Sequence, residues 1–259
     1  MGTPTAATIR LGHAFPHPKS AQSLDPVDDL LALINGLTPI GPRAPQDGSV
    51  VWLAESLLKI ERDHRPVYAY VGYLHPELGT IGLVLRPSWL TRAPHGVSRC
   101  DTGGLAGCLG GFSAITSEEA KQAVVSLSLP IDDSWSAHLE QEINSAHPGG
   151  WINYLQGNPP TPDQLPDVRG LCLKHLHEKG GTPDPRLWTW EARSFAHIEL
   201  ADVEAIVLSP EATKNFYNRM LTSGTTLPSA RVIVGRATPD GVHYFHEDAV
   251  LRAFRGEAS

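Results

Sequence analysis

Glu191 is the residue whose type and surroundings most favour chemistry. It lies in a segment with strand character, after Trp188 and Trp190 and two positions before Arg193. Because successive side chains of a strand point to opposite faces, Glu191 and Arg193 are expected on one face, roughly 6.6 Å apart. A carboxylate among aromatic side chains loses hydration unless it is paired or solvated, so such residues often line a cleft. The alternative is an exposed strand face on which the two charges balance each other.

The glycine-rich segment 100–111, which we expect to be a loop, carries the next candidates. It contains Asp101, Thr102, Gly103 and Gly104 in a row. Consecutive glycines allow positive φ or close approach to a ligand, and exposed amides in such a loop can hold a phosphate. The segment matches neither the Walker pattern nor Gly-x-Gly-x-x-Gly. A plain flexible turn is one alternative, and a single copy of an aspartic-protease-like Asp-Thr-Gly turn is another.

Histidine and cysteine spacing is less informative. His175 and His177, next to Glu178, lack the His-Glu-x-x-His spacing of a metalloprotease, and the chain has no Cys-x-x-Cys, so no metal site is predicted. Cys108 would act as a nucleophile if the fold brought a histidine to it, which leaves a Cys-dependent hydrolase as an alternative function. A buried or loop thiol is the simpler interpretation. Three cysteines in this pattern favour reduced thiols in the cytoplasm.

Periodicity and turn residues predict the elements that must position these side chains. Strands are predicted over 8–11, 67–73, 80–85, 187–196, 203–208, 231–234 and 242–245, with 67–73 and 80–85 forming a hairpin. Helices are predicted over 25–36, 134–146, 168–178 and 211–221, with a helix start at 116–120, while 50–61 fits either a strand or a helix. A proline-rich connection covers 158–167. Strands at both chain ends with helices between them indicate one α+β domain over 1–259, with a split β-sheet core.

Composition sets the class of protein. The chain has 259 residues, 41% hydrophobic and 19% charged, with 21 Lys+Arg against 28 Asp+Glu, so the net charge is 21 − 28 = −7. This balance is typical of a folded globular protein and argues against a general nucleic-acid binder. No apolar run is long enough to span a membrane, and the N-terminus lacks the pattern of a secretory signal. We therefore expect a cytoplasmic protein that does not associate with membranes.

The order of these parts resembles the mono-ADP-ribosyltransferases of the bacterial toxin and defence type. The resemblance rests on a first strand ending at Gly12 and His13, a tyrosine-rich strand over 67–73, and a late strand that carries Glu191. The stretch 197–207 after that strand, in which polar and apolar residues lead into Ala-Ile-Val, adds to it. Thr189 stands two residues before Glu191, where the arginine-modifying subclass has Glu or Gln.

This resemblance implies an ADP-ribosyltransferase-like fold and NAD as a substrate. Glu191 would be the catalytic residue, His13 (or Arg10) would contact the NAD ribose or phosphate, and Tyr70 would stack on nicotinamide. Arg193, or the amides of Asp101, Gly103 and Gly104, would hold the pyrophosphate. A carboxylate at Glu191 would stabilise the oxocarbenium-like centre that forms when the nicotinamide–ribose bond breaks.

The implied function is that of an ADP-ribosyltransferase or NAD glycohydrolase acting on a macromolecular acceptor, protein or nucleic acid. A toxin of this type would also have a partner such as an antitoxin protein. A different class of function stays open beside it, a non-catalytic binding or interaction protein whose polar strand residues are merely exposed.

Overall fold

The computed structural model describes residues 10–15, 25–37, 40–41, 66–72, 81–109, 117–132, 134–156, 158–226 and 229–234. Eight strands in this part of the chain belong to one sheet. They are β1 (Leu11–Phe15), β2 (Val67–Val71), β3 (Ile81–Leu85), β4 (Pro94–Ser98), β5 (Ser128–Leu129), β6 (Glu191–Ser194), β7 (Val203–Leu208) and β8 (Arg231–Val234). Their order is β5-β4-β6-β2-β1-β3-β7-β8. The described neighbours pair antiparallel except β7 and β8, which are parallel. The sheet is therefore assembled from distant segments, as predicted.

Eight α-helices in the described residues complete a mixed α+β fold, which confirms the predicted class. They are α1 (Pro26–Ile34), α2 (Ser88–Arg92), α3 (Thr102–Leu109), α4 (Ser117–Ser126), α5 (Trp135–Ala146), α6 (Trp151–Leu155), α7 (Val168–Glu178) and α8 (Pro210–Ser223). Local signals explain their ends: the Asp25 side chain caps α1 through the Val27 amide, and Ser209 caps α8 through the Ala212 amide. None of these helices is long and apolar enough to cross a membrane.

The two faces of the sheet differ in chemistry around β4, β6 and β2. On one face, Ala69 and Ala192 lie opposite each other and belong to the main hydrophobic core. On the other face, Glu191 lies opposite Tyr70 on β2 and opposite Ser98 on β4. All three of these polar side chains are buried. A polar row thus crosses three strands inside the protein, where each polar group needs a partner.

A second, smaller hydrophobic cluster forms where α3, α4 and α7 pack together. It includes Leu105 from α3, Val124 from α4 and Leu173 from α7. The first turn of α3 reaches from this cluster to the polar face of the sheet, because Thr102 hydrogen-bonds to Glu191. The helix therefore connects the second cluster to the polar row.

The predicted hairpin of 67–73 with 80–85 is wrong. The two strands exist as β2 and β3, but β1 lies between them: Gly12 is paired with Tyr70 on one side and with Val84 on the other. The turn residues between the segments are compatible with a hairpin. They cannot reveal that a strand from the N-terminal part of the chain occupies the intervening position.

The predicted loop over 100–111 is also wrong in its described part, because α3 occupies most of it. The Asp101 carboxylate accepts a hydrogen bond from the Gly104 amide at 2.7 Å and caps the first turn. A Cβ at Gly104 would lie 2.6 Å from Cβ of Arg186, so this glycine allows the helix to pack closely against its neighbour. Glycines in a row favour the prediction of a flexible loop. At Gly104, however, a glycine is needed because the helix packs closely against Arg186.

Other boundaries differ by a few residues. The predicted strand over 187–196 is shorter, since Pro185–Leu187 forms a 3-10 turn and β6 begins at Glu191. The first strand lies at Leu11–Phe15 instead of 8–11. Strand β4 was not predicted at all. The segments predicted at 50–61 and 242–245 lie outside the described residues.

Candidate functional site

Glu191 begins strand β6 and has only about 5% of its side chain exposed. Its Oε1 atom accepts two hydrogen bonds, from Thr102 Oγ1 at 3.0 Å and from Arg193 Nη1 at 2.8 Å. Within the described part of the chain, Oε2 accepts none. One oxygen is thus held in place, while the other retains its full capacity to accept a hydrogen bond.

Burial, followed by the negative charge of Asp101, raises the pKa of Glu191 to about 7 against the opposing effect of Arg193. The carboxyl group therefore changes charge near neutral pH, where an ordinary glutamate is fully ionised. Groups whose pKa lies near the working pH are suited to moving protons or to meeting a developing positive charge.

Arg193 shares the face of Glu191, as the two-residue period predicts, and is 1% exposed. Its Nη1 donates to Glu191 and also to Ser98 Oγ at 2.7 Å, while its Nε donates to His95 Nδ1 at 3.4 Å. Burial and the nearby Arg193 lower the pKa of His95 to about 4, so this imidazole is neutral and can accept that hydrogen bond. Glu191 therefore has one cationic neighbour, which is itself fixed from two sides.

Asp101 is the second carboxylate of the cluster. The Tyr70 hydroxyl donates to its Oδ2, and the Gly104 amide donates to its Oδ1. Burial, followed by the charge of Asp101, raises the pKa of Tyr70 well above its usual value, so the phenol keeps its proton and remains a donor. Asp101 thus has both oxygens occupied, unlike Glu191.

This arrangement bears on the role that the resemblance implies for Tyr70, Gly103 and Gly104. Tyr70 is 8% exposed, and its hydroxyl is committed to Asp101. The Gly104 amide already serves Asp101, and Gly103 lies in the same first turn of α3. A capping carboxylate at a helix N-terminus repels a phosphate, so the structure lends no support to a pyrophosphate site at these amides.

His13 is not part of the cluster. On β1, His13 follows Gly12, which is paired with Tyr70 on β2. Because side chains alternate along a strand, His13 lies on the face of the sheet opposite to that of Tyr70. Its Nδ1 donates to the backbone oxygen of Tyr68 at 2.7 Å. Arg10, the alternative to His13, pairs with Glu204 of β7. Of the predicted site residues, the structure brings together Tyr70, Asp101, Gly103, Gly104, Glu191 and Arg193.

Three further side chains contribute that were not singled out as site residues. Thr102 and Ser98 hydrogen-bond to Glu191 and Arg193, respectively. Arg186 lies beside Gly104 and is clamped by Asp184 through its Nε and Nη2 atoms. Thr102 belongs to the Asp-Thr-Gly sequence, whereas Ser98 and Arg186 have no local signal, because tertiary packing alone brings them here.

An ionic cluster around the buried Arg169 supports the strand that carries Glu191. Trp190, the preceding residue, donates from Nε1 to Glu142 Oε1 at 2.9 Å, and Glu142 in turn pairs with Arg169 at 2.7 Å. Arg169 also binds Asp167 and the backbone oxygen of Arg99, so all five of its N–H groups have partners. This arrangement fixes the start of β6 from the face opposite Glu191.

Cys108, in the last turn of α3, is half-buried and packs against the second hydrophobic cluster, which contains Cys172. No set of three or more His, Cys, Asp or Glu residues is placed to hold a metal ion in the described ranges. No protein-family model, curated protein or solved structure matches this chain.

Proposed function

We propose that the protein is an NAD-consuming ADP-ribosyltransferase or NAD glycohydrolase with Glu191 as its catalytic residue. The observation that carries this proposal is the state of Glu191: a buried strand carboxylate, held through one oxygen, with the other oxygen uncommitted among the described residues. The resemblance in segment order supports the same class.

The chemistry required is the stabilisation of positive charge. When the nicotinamide–ribose bond breaks, nicotinamide leaves as a neutral molecule and positive charge develops on the ribose. A carboxylate in a poorly hydrated site stabilises such a charge more strongly than one in water. Ionised Glu191 supplies that carboxylate, and Asp101 adds a second negative charge nearby.

The uncommitted Oε2 of Glu191 accepts a hydrogen bond from a ribose hydroxyl in this proposal. Thr102 and Arg193 hold Oε1, which keeps the carboxylate in one orientation and so reduces the entropy lost on reaching the transition state. The acceptor of ADP-ribose is a macromolecule in the transferase form and water in the glycohydrolase form. Tyr70 serves as a positioning residue for Asp101, and His13 has no role.

The test compares Glu191→Gln with Glu204→Gln. Both are strand glutamates paired with an arginine, but Glu204 lies on β7 and pairs with Arg10 instead of with a residue of the cluster. We expect Glu191→Gln to lower nicotinamide release from NAD by about 100-fold or more, and Glu204→Gln to leave it within about twofold. Nicotinamide is measured by chromatography, and thermal unfolding checks that both variants fold.

A non-catalytic binding protein is the second candidate, and one observation favours it. Each member of the Tyr70–Asp101 pair and of the Glu191–Arg193 pair has a hydrogen-bonding partner within the protein, as in a purely structural polar core. This candidate predicts no nicotinamide release by the wild-type protein with any acceptor tried. Wild-type-like release by a folded Glu191→Gln protein would also refute the catalytic proposal.

A further inference from the structure

One hydrogen bond between β2 and β6 passes through a side chain. Val71 and Trp190 lie next to the Tyr70–Glu191 pair, and a hydrogen-bonded pair of an antiparallel ladder normally exchanges two backbone bonds. One of the two is direct, from the Val71 amide to the Trp190 oxygen at 2.8 Å. In place of the other, the Trp190 amide donates to the hydroxyl of Tyr154 at 3.1 Å, and this hydroxyl donates to the Val71 oxygen at 2.8 Å. The Tyr154 hydroxyl thus replaces a direct backbone bond.

Tyr154, on α6, is almost fully buried and is held from several sides. The His147 and Trp151 rings meet its ring edge to face, with centroid distances of 5.3 and 5.6 Å. Gly72, directly after β2, permits this packing: its φ is +67°, and a Cβ there would lie 2.9 Å from Cδ2 of Leu155 and 3.6 Å from Cε1 of Tyr154. The packing therefore fixes the hydroxyl in its place between the strands.

This relayed bond acts on the residue that precedes Glu191. Both polar hydrogens of Trp190 have partners: its indole donates to Glu142 at 2.9 Å, and its amide donates to Tyr154. Glu191, the next residue, has its Oε1 atom 3.0 and 2.8 Å from its two donors. Because the backbone of Trp190 leads directly into Glu191, its anchoring determines where the Glu191 side chain begins.

We propose that Tyr154 is a positioning residue for Glu191. Its hydroxyl satisfies one backbone donor and one backbone acceptor between β2 and β6, and so holds the start of β6 where the Glu191 carboxylate meets both of its donors. This role rests on the proposed function, in which a fixed carboxylate reduces the entropy lost on reaching the transition state. Tyr154→Phe keeps the aromatic ring and removes only the hydroxyl, which leaves two buried backbone groups without this partner.

The experiment compares Tyr154→Phe with Tyr217→Phe, which removes an exposed phenol hydroxyl from α8, a helix that packs against α1 and β7. We expect Tyr154→Phe to lower kcat for nicotinamide release from NAD by about tenfold, with KM within about twofold of the wild-type value. Tyr217→Phe should change neither. Rates are expressed per folded molecule, with the folded fraction taken from denaturant unfolding, so that a loss of stability alone does not lower kcat.

A second measurement does not depend on activity. Carbon-13 NMR follows the side-chain carboxyl of Glu191, whose signal is the one missing from Glu191→Gln. The hydrogen bonds from Thr102 and Arg193 lower the pKa of Glu191, so a less exact placement of the carboxylate should raise that pKa. We expect a rise of about half a pH unit or more in Tyr154→Phe and no change in Tyr217→Phe.

The wild-type protein supplies a third measurement, which needs no variant to fold. The Trp190 amide should exchange hydrogen within about tenfold of the rate of the Ala192 amide, which lies inside the β2–β6 ladder. A much faster Trp190 amide would show that its bond to Tyr154 is not maintained, and would overturn the proposal.

The outcomes separate this proposal from the proposed function. An unchanged kcat together with an unchanged pKa of Glu191 in folded Tyr154→Phe would overturn the positioning role. An equal fall of kcat in Tyr217→Phe would overturn it too, since the effect would not be specific to the hydroxyl between the strands. A wild-type protein that releases no nicotinamide, with the pKa of Glu191 still raised in Tyr154→Phe, would refute the proposed function and support the positioning of Glu191 by Tyr154.

Discussion

Tyr70 and Glu191 lie directly opposite each other on β2 and β6, and their polar atoms bind two consecutive residues at the start of α3. Tyr70 donates to Asp101, and Glu191 accepts from Thr102. The start of α3 is thereby fastened to two neighbouring strands by two adjacent side chains. The position of this helix and the protonation of Glu191 are consequently linked, since Asp101 also raises the pKa of Glu191.

Replacing Asp101 with Asn removes a negative charge beside Glu191 and preserves a side chain able to cap α3. Because the Asp101 charge raises the pKa of Glu191, its removal lowers that pKa from about 7. We expect the rise of activity with pH, which depends on ionised Glu191, to move to lower pH by roughly one unit or more. The pH dependence of nicotinamide release measures this shift. An unmoved profile in a folded variant would contradict the electrostatic link.

The ionisation of Glu191 should also be visible in protein stability. Its pKa is raised from 4.5 to about 7 in the folded protein, so the folded state binds the extra proton between these pH values. Its contribution favours folding below pH 4.5 and is lost as the pH rises through about 7, a change of about 3 kcal/mol at 1.36 kcal/mol per pH unit.

Denaturant unfolding of the wild-type protein and of Glu191→Gln between pH 4.5 and 8 tests this expectation. The free energy of unfolding of the wild type, minus that of the variant, should fall with rising pH, and the subtraction removes contributions common to both proteins. A difference that stays constant would show that Glu191 ionises near its ordinary value, and a difference that rises would show that folding lowers its pKa.

Gly104 and Gly107 provide a matched pair of substitutions within α3. A Cβ at Gly104 would lie 2.6 Å from Cβ of Arg186, whereas a Cβ at Gly107 would have no neighbour within 4 Å. We expect Gly104→Ala to destabilise the protein by about 1–3 kcal/mol, and Gly107→Ala to stabilise it by up to about 1 kcal/mol through helix propensity. Thermal or denaturant unfolding measures both. Equal effects of the two substitutions would exclude close packing at Gly104.

Arg169 is a buried arginine and Arg219 a half-exposed one, and each pairs with two carboxylates, so substitutions at the two positions can be compared. Arg169 is 1% exposed with Glu142 and Asp167 as partners, while Arg219 is 39% exposed and pairs with two aspartates. Replacing Arg169 with Met takes the buried guanidinium away from two partly buried carboxylates, of which Glu142 keeps Arg99 at 3.5 Å, and should cost up to about 3–5 kcal/mol. Replacing Arg219 with Met should cost less than about 1 kcal/mol. Similar costs for the two, measured by denaturant unfolding, would argue against Arg169 as a buried support of β6.

Elements with local signals could be predicted closely. Helix α7 and strands β7 and β8 have the predicted bounds, because apolar periodicity and flanking turn residues define them within a few positions. The predicted α1 boundary is close because the cap at Asp25 is a local interaction. In contrast, the place of β1 between β2 and β3 depends on pairing with distant residues, which no local pattern encodes.

In the candidate site, too, local patterns predict some features, and others depend on the tertiary structure. That Glu191 and Arg193 share a face follows from the period of a strand, and their hydrogen bond agrees with it. The position of His13 on the other face depends on the register of β1 against β2, so segment order alone could not predict it. The sequence marks Asp101 as a candidate site residue, but its role as a helix cap that also binds Tyr70 depends on the tertiary structure.

The place of β6 in the sheet has a consequence for how the chain acquires its site. Strand β6 is the only described strand that pairs with both β4 and β2, so without it the sheet would separate into a pair, β5-β4, and a group of five strands. Until β6 is added, the edge of β2 and its backbone groups remain unpaired, a state that favours aggregation. The long sequence separation between these strands makes this step slow during folding. The Glu191 site can therefore form only when β6 has joined the two parts of the sheet. A chain shortened before residue 191 would have neither the site nor the joined sheet.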